Sequence, residues 1–333
     1  MTGATGFIGG HLVRRLIEEG GGVRALVRPA TAAAHLEALG VEVVRGDLAD
    51  SAALRRAATG CDVVYHLAGV TSTKRPGRHA LETANVAGTR NVARAALAAG
   101  VGRLVYGSSI GTFGAAFARS PVNETTPARP DSTYRVSKLR GEHAVTAAAR
   151  DGLPAVVARI GSTMGPGARH WRGLFRAVAE RRVRRIGALT NRIQPVHVAD
   201  VIDGLRRCGT VPRIEGGLFL LVGPEPIRVG ELLERIAAAV GTTLPAGRLP
   251  GAPFRAWYRL GQWAVQRTGR EIPWGHRHKL FMGDEAVDFA GTRDRLGYAP
   301  RVTVVESIRQ TAEWLRAEGL LPPVSRSGAP ADA

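Results

Sequence analysis

Short apolar segments alternate with segments of helical periodicity from residue 8 to residue 160 of the chain. Parallel strands need long crossover connections, so strands that alternate with helices predict a parallel sheet covered by helices on both faces. We therefore predict an α/β fold with a doubly wound, Rossmann-type sheet, in which ligands bind at the carboxyl ends of the strands. The predicted strands span residues 23–27, 41–44, 63–67, 104–106 and 155–158, and the predicted helices lie near 8–17, 32–39, 85–99 and 134–150.

The second half of the chain predicts a smaller, discontinuous domain. After Arg159 the alternation weakens, and Gly and Pro become frequent. We expect substrate contacts to lie in this part of the chain. The predicted dinucleotide-binding domain comprises residues 1–160 and 193–215, the predicted substrate-binding domain comprises residues 161–192 and 216–321, and the polar tail 322–333 is expected to be disordered.

The formal net charge of +18 raises the question of a nucleic-acid partner. All of the 46 basic residues except Lys74, Lys138 and Lys279 are arginines, and they are spread along the whole chain. Aromatic residues that could stack on bases make up only 5% of the sequence. This distribution argues against nucleic acid and in favour of a small-molecule substrate.

Cysteine number and the length of apolar runs bear on the compartment. Cys61 and Cys208 cannot form a disulfide framework, and the first residues do not resemble a signal peptide, so we predict a reducing, cytoplasmic environment. Arg or Gly interrupts every apolar run before the roughly 20 residues that a membrane-spanning helix needs. We expect no transmembrane segment.

A glycine-rich segment opens the chain at the start of the first predicted helix. Its glycines lie three residues apart, which lets the backbone approach a pyrophosphate whose charge the amides of the helix N-terminus stabilise. An amphipathic helix and a βαβ pattern follow, as a dinucleotide-binding fingerprint requires. The residues predicted to bind the cofactor here are Gly3, Thr5, Gly6, Phe7, Ile8 and Gly9.

The strand that should precede such a fingerprint is missing, because only Met1 and Thr2 come before the glycines. That strand is central in a doubly wound sheet, so its loss leaves unpaired ladder groups on both neighbours. About five buried side chains at roughly 1.5–3 kcal/mol each are comparable with the whole stability of a domain. We therefore expect the first strand to be truncated and the natural protein to begin several residues earlier.

The end of the second strand bears on which dinucleotide is bound. An acidic residue there would hold both ribose hydroxyls of NAD, whereas an arginine accommodates the 2′-phosphate of NADP. The position is Arg28, with no acid nearby, which slightly favours NADP(H) and leaves NAD(H) open. Asp47 and Leu48 follow the next strand and are predicted to lie beside the adenine, although Asp47 has the alternative of capping the following helix.

Tyr134 and Lys138 lie four residues apart and so share one face of a predicted helix. A free phenol has a pKa near 10, and a nearby ammonium would lower it enough for proton transfer at neutral pH. We predict that Tyr134 exchanges a proton with the substrate and that Lys138 lowers its pKa and orients the nicotinamide ribose. A chance pairing on a surface helix is the alternative.

A hydroxyl that could hold the reacting oxygen follows the predicted strand 104–106. We choose Ser109, with Ser108 or Thr112 as substitutes, and serines that satisfy loop amides are the alternative. Asn85 opens a helix beside the predicted site, where it either holds a water or a backbone kink or caps the helix.

These motifs together resemble the extended short-chain dehydrogenase/reductase family, also called NAD-dependent epimerases/dehydratases. Gly3, Gly6 and Gly9 match the glycine loop of the family, and Asn85 matches its helix asparagine. The resemblance covers nearly the full length and implies a Rossmann domain, an NAD(P) cofactor and, as a family property, dimerisation through long helices. It further assigns Ser109, Tyr134 and Lys138 as the catalytic residues, with late signatures at Val196–Asp200 and Leu296–Pro300. The cofactor contacts that it implies in this part of the chain are Leu67, Ala68, Gly69, Asn85, Tyr134 and Lys138.

Within the family, the segment 187–195 departs from the pattern of sugar-nucleotide epimerases. The segment 23–29 and the C-terminal layout look more like the hydroxysteroid dehydrogenase and dihydroflavonol reductase branches. The resemblance therefore implies hydride transfer to or from a lipophilic secondary alcohol or ketone. Sugar-nucleotide epimerisation is the alternative enzyme, and a cofactor-sensing protein without turnover is the alternative of another class.

Residues 254–268 combine aromatic residues near helical spacing with several arginines. Such a helix either touches a membrane surface or covers an apolar substrate, and packing of a lid helix on the core is the simpler interpretation. His276 and His278 do not make a metal site by themselves, so we predict no metal.

Overall fold

The structure is a computed structural model that describes residues 1–71, 77–268 and 283–322. His276, His278 and the predicted tail after Pro322 lie outside the described residues. The strands are β1 (Arg24–Val27), β2 (Glu42–Arg45), β3 (Val63–His66), β4 (Arg103–Ser109), β5 (Ala155–Ile160), β6 (Thr163–Met164), β7 (Arg185–Ile186), β8 (Arg192–Ile193), β9 (Val196–His197), β10 (Leu218–Leu221), β11 (Ile227–Arg228) and β12 (Arg248–Leu249). The helices are α1 (Phe7–Glu18), α2 (Ala34–Glu37), α3 (Ser51–Ala58), α4 (Arg78–Leu81), α5 (Gly88–Ala98), α6 (Thr133–Arg150), α7 (Arg172–Ala179), α8 (Val198–Thr210), α9 (Val229–Val240), α10 (Gly251–Thr268), α11 (Ala290–Leu296) and α12 (Val304–Ala317).

The main sheet is parallel and has helices on both faces, which confirms the predicted fold class. One segment pairs β2 with β1, and the other runs in the order β3, β4, β5, β10. Each strand is followed by a crossover that returns the chain to the same edge, so the carboxyl ends of all strands face one side. That edge is where the glycine loop and the ends of β3 and β4 come together.

Met1 and Thr2 join the two segments of this sheet. Thr2 makes bridges to Leu26 of β1 and to His66 of β3, both parallel. The amide of Leu26 donates to the Met1 carbonyl over 2.9 Å, and the amide of Thr2 donates to the Tyr65 carbonyl over 2.9 Å. These two residues therefore fill the carboxyl end of the slot that the sequence predicts between the neighbouring strands. The glycine loop therefore starts between the carboxyl ends of β1 and β3, where a full central strand would end.

Two helical features differ in detail from the prediction. Helix α3 is the helix that the sequence places after Asp47 without bounds, and Asp50 caps it by accepting from the amide of Ala53 over 2.9 Å. The helix predicted near 85–99 begins earlier, at Arg78, and contains a π-helical turn over Glu82–Ala87 between α4 and α5. A π turn bulges the helix locally and re-aims the side chains that it carries. Asn85 is one of those side chains.

A second apolar core lies beside the main sheet. Phe175 of α7, Leu232 of α9 and Ile308 of α12 are among its fully buried members. The predicted boundary after residue 215 is wrong in one respect, because β10 hydrogen-bonds to β5 and belongs to the main sheet. Tyr298, which follows α11, also packs in the main core. Pairing with β10 covers the edge of β5, which would otherwise expose unpaired backbone groups.

Within the described residues, no helix combines the length and the apolar character that crossing a bilayer requires.

A buried ion pair attaches α6 to the main sheet. Glu142 of α6 receives two hydrogen bonds from Arg159 of β5, at 3.0 and 2.8 Å, and the Ser108 hydroxyl of β4 donates to it over 2.5 Å. Both charged side chains are about 95% buried, at 6% and 5% exposure. The Arg159 guanidinium also lies 4.6 Å from the centre of the Phe113 ring. One carboxylate thus ties the helix to two adjacent strands.

We predict that Glu142→Gln lowers the free energy of unfolding by about 3–5 kcal/mol, because it leaves the Arg159 charge buried without its counter-ion. Urea denaturation at neutral pH measures the change. The matched control is Glu82→Gln, which breaks an exposed pair with Arg140 and should cost less than about 1 kcal/mol. Equal effects of the two substitutions would contradict this account of the pair.

Candidate active site

The glycine loop passes close to the chain segment that follows β3. Gly3 has a φ of +77°, and a Cβ there would lie 2.7 Å from the amide nitrogen of Ala68. A Cβ on Gly9 would lie 2.0 Å from the Gly3 carbonyl oxygen. Side chains at either position would therefore push the loop away from α1. The glycines keep the loop, the helix and the end of β3 in contact.

The N-terminus of α1 points its first amides out of the glycine loop. Gly6 is the N-cap, and no side chain caps this helix end. The amides of the first turn have no partner within a helix, and the helix dipole adds partial positive charge, so the geometry fits a pyrophosphate. Thr5 and Gly6 are exposed at the loop, whereas Phe7 and Ile8 are half-buried. The predicted cofactor loop thus has the form that its ligand requires.

Asn85 anchors the segment after β3 to α6. Its Oδ1 accepts from the amide of Val70 over 2.8 Å, and its Nδ2 donates to the Val70 carbonyl over 3.0 Å and to the Ser137 hydroxyl over 2.9 Å. The expectation that Asn85 caps a helix is wrong, since it lies inside the π turn. Its polar atoms are used within the protein, and its contacts with Val70 hold the segment that follows Leu67, Ala68 and Gly69.

His66 is a buried polar residue whose role the sequence did not indicate. Its ring nitrogens lie 2.7 Å from the Thr2 hydroxyl and 2.9 Å from the Thr89 hydroxyl, and its ring stacks on Tyr106 with centroids 5.5 Å apart. Burial, together with the nearby Lys138 charge, lowers the pKa of His66 to about 3, so the ring is neutral. It links the start of the glycine loop to α5 without adding charge beneath the site.

Ser109 and Tyr134 are brought together by the packing of α6 against β4. Their side chains lie near each other, and the Ser109 Oγ accepts from the amide of Gly111 over 3.0 Å. The two alternatives to Ser109 hydrogen-bond to other groups. The Ser108 hydroxyl donates to Glu142, and the Thr112 hydroxyl donates to the Ser109 carbonyl. Ser109 is therefore the hydroxyl that faces the phenol.

Lys138 is buried and points to the same strand. Its Nζ donates to the Gly107 carbonyl over 2.7 Å and lies 4.3 Å from the centre of the Tyr106 ring. Burial lowers the pKa of Lys138 to about 8, which the Glu142 carboxylate opposes. Lys138 and Tyr134 thus reach β4 two residues apart, at Gly107 and Ser109, on one side of the strand.

The expectation that Lys138 depresses the pKa of Tyr134 is not met in this arrangement. Burial raises the pKa of Tyr134, and the nearby Ser109 hydroxyl and Arg135 charge only partly oppose it. Desolvation disfavours the phenolate, and the ammonium is directed at a backbone carbonyl. The phenol is therefore neutral and can donate a proton.

The predicted adenosine contacts lie at the carboxyl ends of β1 and β2. Arg28 is exposed directly after β1, and Arg45 steadies the turn behind it by donating to the Thr31 carbonyl over 2.7 Å. Asp47 is exposed and accepts from the amide of Ala49 over 2.7 Å, so it shapes the loop, whereas Asp50 caps α3. The Leu48 carbonyl accepts from the Asn91 side chain over 2.9 Å.

With this geometry in hand, the family can be stated from comparison with known proteins. The model of the family described as "NAD dependent epimerase/dehydratase family" matches residues 1–214. That range contains the glycine loop, the Asn85 anchor and the Ser109, Tyr134 and Lys138 cluster. The chain belongs to this family. The proposed resemblance is thereby confirmed, and with it the oxidoreductase or epimerase type of enzyme.

Similar proteins of this epimerase/dehydratase family cover almost the same length. A "Ceramide reductase" of Caulobacter vibrioides is 31% identical over 97% of this chain and 95% of the relative. A "4-hydroxy-2-methyl-3-oxo-4-farnesyl-3,4-dihydroquinoline-1-oxide ketoreductase" of Stigmatella aurantiaca is 29% identical over 91% and 92%. The crystal structure titled "MoeE5 in complex with UDP-glucuronic acid and NAD" is 26% identical, with a TM-score of 0.75 over 95% of this chain and 98% of that chain.

The late family signatures serve the fold. His197 caps α8 by accepting from the amide of Ala199 over 3.2 Å, and Asp200 accepts from the amides of Arg301 and Val302 over 2.9 and 3.1 Å. The Tyr298 hydroxyl donates to the Val222 carbonyl over 2.8 Å. These contacts join α8 and the C-terminal segment to the main sheet.

A further cluster beside Tyr134 was missed from the sequence. Arg135 is buried, pairs with Asp131 and lies 3.5 Å from Glu285. Tyr258 of α10 lies within electrostatic range of the same guanidinium. The i, i+4 spacing of Asp131 and Arg135 was a visible signal, but Glu285 and Tyr258 come from distant parts of the chain. The cluster connects the start of α6 to α10.

Among residues 1–71, 77–268 and 283–322, no three His, Cys, Asp or Glu side chains are grouped so that they could hold a metal ion.

We predict that Gly9→Ala weakens dinucleotide binding and lowers stability by about 1–3 kcal/mol, because its Cβ would overlap the Gly3 carbonyl. Calorimetric titration with the dinucleotide and urea denaturation measure the two effects. Gly10→Ala is the matched control on the same helix, since its Cβ would make only an ordinary van der Waals contact, 3.6 Å from the Ala4 carbonyl oxygen. It should leave affinity unchanged and stabilise the helix by up to about 1 kcal/mol. An unaltered affinity in Gly9→Ala would refute the close approach.

Proposed function

We propose that the protein is an NAD(P)-dependent reductase or dehydrogenase that interconverts a ketone and a secondary alcohol on a lipophilic substrate. The observation that carries this proposal is the approach of the Ser109 hydroxyl to a neutral Tyr134, with Lys138 held to the same strand. A neutral phenol beside a second hydroxyl suits donation of a proton to a carbonyl oxygen.

The three side chains divide the work as follows. Ser109 would hold the reacting oxygen by a hydrogen bond, and Tyr134 would give its proton to that oxygen. The buried ammonium of Lys138 would stabilise the phenolate that remains and hold the ribose. A bound nicotinamide cofactor supplies the hydride. The glycine loop, Leu67, Ala68 and Gly69, and the arginine after β1 would hold the rest of that cofactor.

An apolar substrate is supported by the surroundings of the site. Phe113 and Phe117 are buried in the short helical segments that follow β4, and the half-buried Tyr258 of α10 lies within electrostatic range of Arg135. Two of the similar proteins are named as reductases of long-chain lipid or farnesyl compounds. We propose that the second core, together with α10, forms the substrate-binding part of the chain.

The segment 187–195 supports the same choice over a sugar nucleotide. Leu189 and Ile193 are buried at 5% exposure, and the Gln194 side chain donates to the Gly223 carbonyl and accepts from the amide of Val287. These side chains are thus used in packing. The two free cysteines, Cys61 and Cys208, agree with the reducing cytoplasm in which we propose that the protein works.

Tyr134→Phe should lower the rate of ketone reduction by about 10²–10⁴-fold, because it removes the proton donor and leaves cofactor binding intact. The assay follows loss of reduced nicotinamide absorbance with a panel of steroid, flavonoid and long-chain ketones, and thermal shift checks cofactor binding. Tyr65→Phe is the control, since that buried phenol lies away from Ser109. Conversion of a UDP-sugar without net absorbance change would make the protein an epimerase, and binding without turnover would make it a sensor.

We further propose a preference for NADP(H), supported by the exposed Arg28 and by the lack of an acid at the end of β1. Arg28→Ala should weaken NADP(H) binding by about 10- to 100-fold, since a charged hydrogen bond contributes about 1.5–3 kcal/mol, and should leave NAD(H) binding almost unchanged. Titration of both dinucleotides measures this, with Arg14→Ala on the exposed side of α1 as the control. Equal losses for both dinucleotides would refute the preference.

A further inference from the structure

The outward side of α10 carries large apolar side chains that are exposed to solvent. Trp257, Leu260 and Trp263 are 44%, 46% and 58% exposed. They follow one another at intervals of three residues, so they lie within one broad arc of the helix. By contrast, Trp171 is buried and Trp314 is half-buried. We call the arc formed by Trp257, Leu260 and Trp263 the apolar face of α10.

The charged residues of α10 are all basic. Arg255, Arg259 and Arg267 are exposed, and the helix sequence contains no Asp or Glu. The preceding strand β12 adds an exposed Arg248 and an exposed Leu249, and it pairs with β7. The same surface thus offers apolar side chains with arginines beside them. Its charge has the sign of the whole chain, which carries +18.

The inward side of the same helix faces the catalytic helix. Phe254 and Tyr258 are half-buried, and Gly261 is buried. Tyr258 lies within electrostatic range of Arg135, the neighbour of Tyr134 in the sequence.

Two candidate partners for the apolar face, a second copy of the chain and an anionic bilayer, differ in the charge that they present to it. A two-fold contact with a second copy would set the same basic surface against itself and bring the arginines of both copies together. An anionic bilayer offers the opposite charge, and its interface favours tryptophan, which is apolar at one end and polar at the other. We propose that the apolar face of α10 docks the protein on anionic lipid bilayers. The proposal concerns binding and does not rest on the proposed reaction.

The test uses the full chain and extruded vesicles in a co-sedimentation assay. Vesicles of phosphatidylcholine with about 30 mol% phosphatidylglycerol should bind at least about tenfold more protein than vesicles of phosphatidylcholine alone, and added salt should reduce the difference. Trp257→Ser/Trp263→Ser should lower the partition by at least about tenfold. Arg259→Glu/Arg267→Glu should lower it by about 25-fold or more, since each charge contributes about fivefold.

Matched controls separate this surface from general charge and apolar exposure. Arg14→Glu/Arg56→Glu makes the same charge change on α1 and α3, and Val305→Ser removes an apolar side chain that is 48% exposed on α12. Both should bind vesicles far better than the α10 variants. Because all changed side chains are exposed, unfolding midpoints should match the unchanged protein, and brominated lipids should quench fluorescence only while Trp257 and Trp263 are present.

Three results would overturn the proposal. The first is equal binding to neutral and anionic vesicles, and the second is equal loss of binding in the α10 and control variants. The third is a fall in the mass of the lipid-free protein at sedimentation equilibrium when Trp257 and Trp263 are replaced. That result would show that a second copy covers the apolar face.

Discussion

The placement of the catalytic helix depends on one buried carboxylate. Glu142 accepts hydrogen bonds from Ser108 of β4 and from Arg159 of β5, so α6 is held at a defined height over two strands. The helix is rigid, and residues four apart share a face, so this contact also places Lys138 over Gly107 and Tyr134 beside Ser109. Loss of the carboxylate would leave an arginine charge without a partner in a low-dielectric interior.

Burial of these groups decides their protonation as much as their neighbours do. The same packing that aligns Tyr134 and Lys138 removes water from them, which favours the neutral form of each. The phenol consequently keeps its proton, and the pKa of the ammonium falls to about 8. The nearby Glu142 charge limits the fall for Lys138, so the helix carries its own counter-ion one turn away. A site of this kind is prepared to give a proton.

The cofactor end of the site is organised by uncharged hydrogen bonds. Thr2, His66 and Thr89 form a buried chain from the glycine loop to α5, and Asn85 continues it to Ser137 on the catalytic helix. Because every member is neutral, the chain carries no charge beneath the pyrophosphate position that would compete with the amides of α1. The π turn is part of the same arrangement, because it contains Asn85, whose side chain accepts from the amide of Val70.

The sequence by itself determined the parallel α/β fold, the glycine loop and the identity of the Ser109, Tyr134 and Lys138 cluster. These follow from local patterns, namely strand and helix periodicity, glycine spacing and an i, i+4 pair, which neighbouring residues largely decide. It predicted the ends of elements less well, since α3 and the π turn depend on caps and on packing.

Only the tertiary structure decided how the cluster works. The return of β10 to the main sheet, the pairing of Glu142 with Arg159 and the approach of Tyr258 to Arg135 join residues that are far apart in the chain. The direction of the Tyr134 pKa was misjudged for the same reason, because burial is a property of the packed molecule and spacing alone does not reveal it.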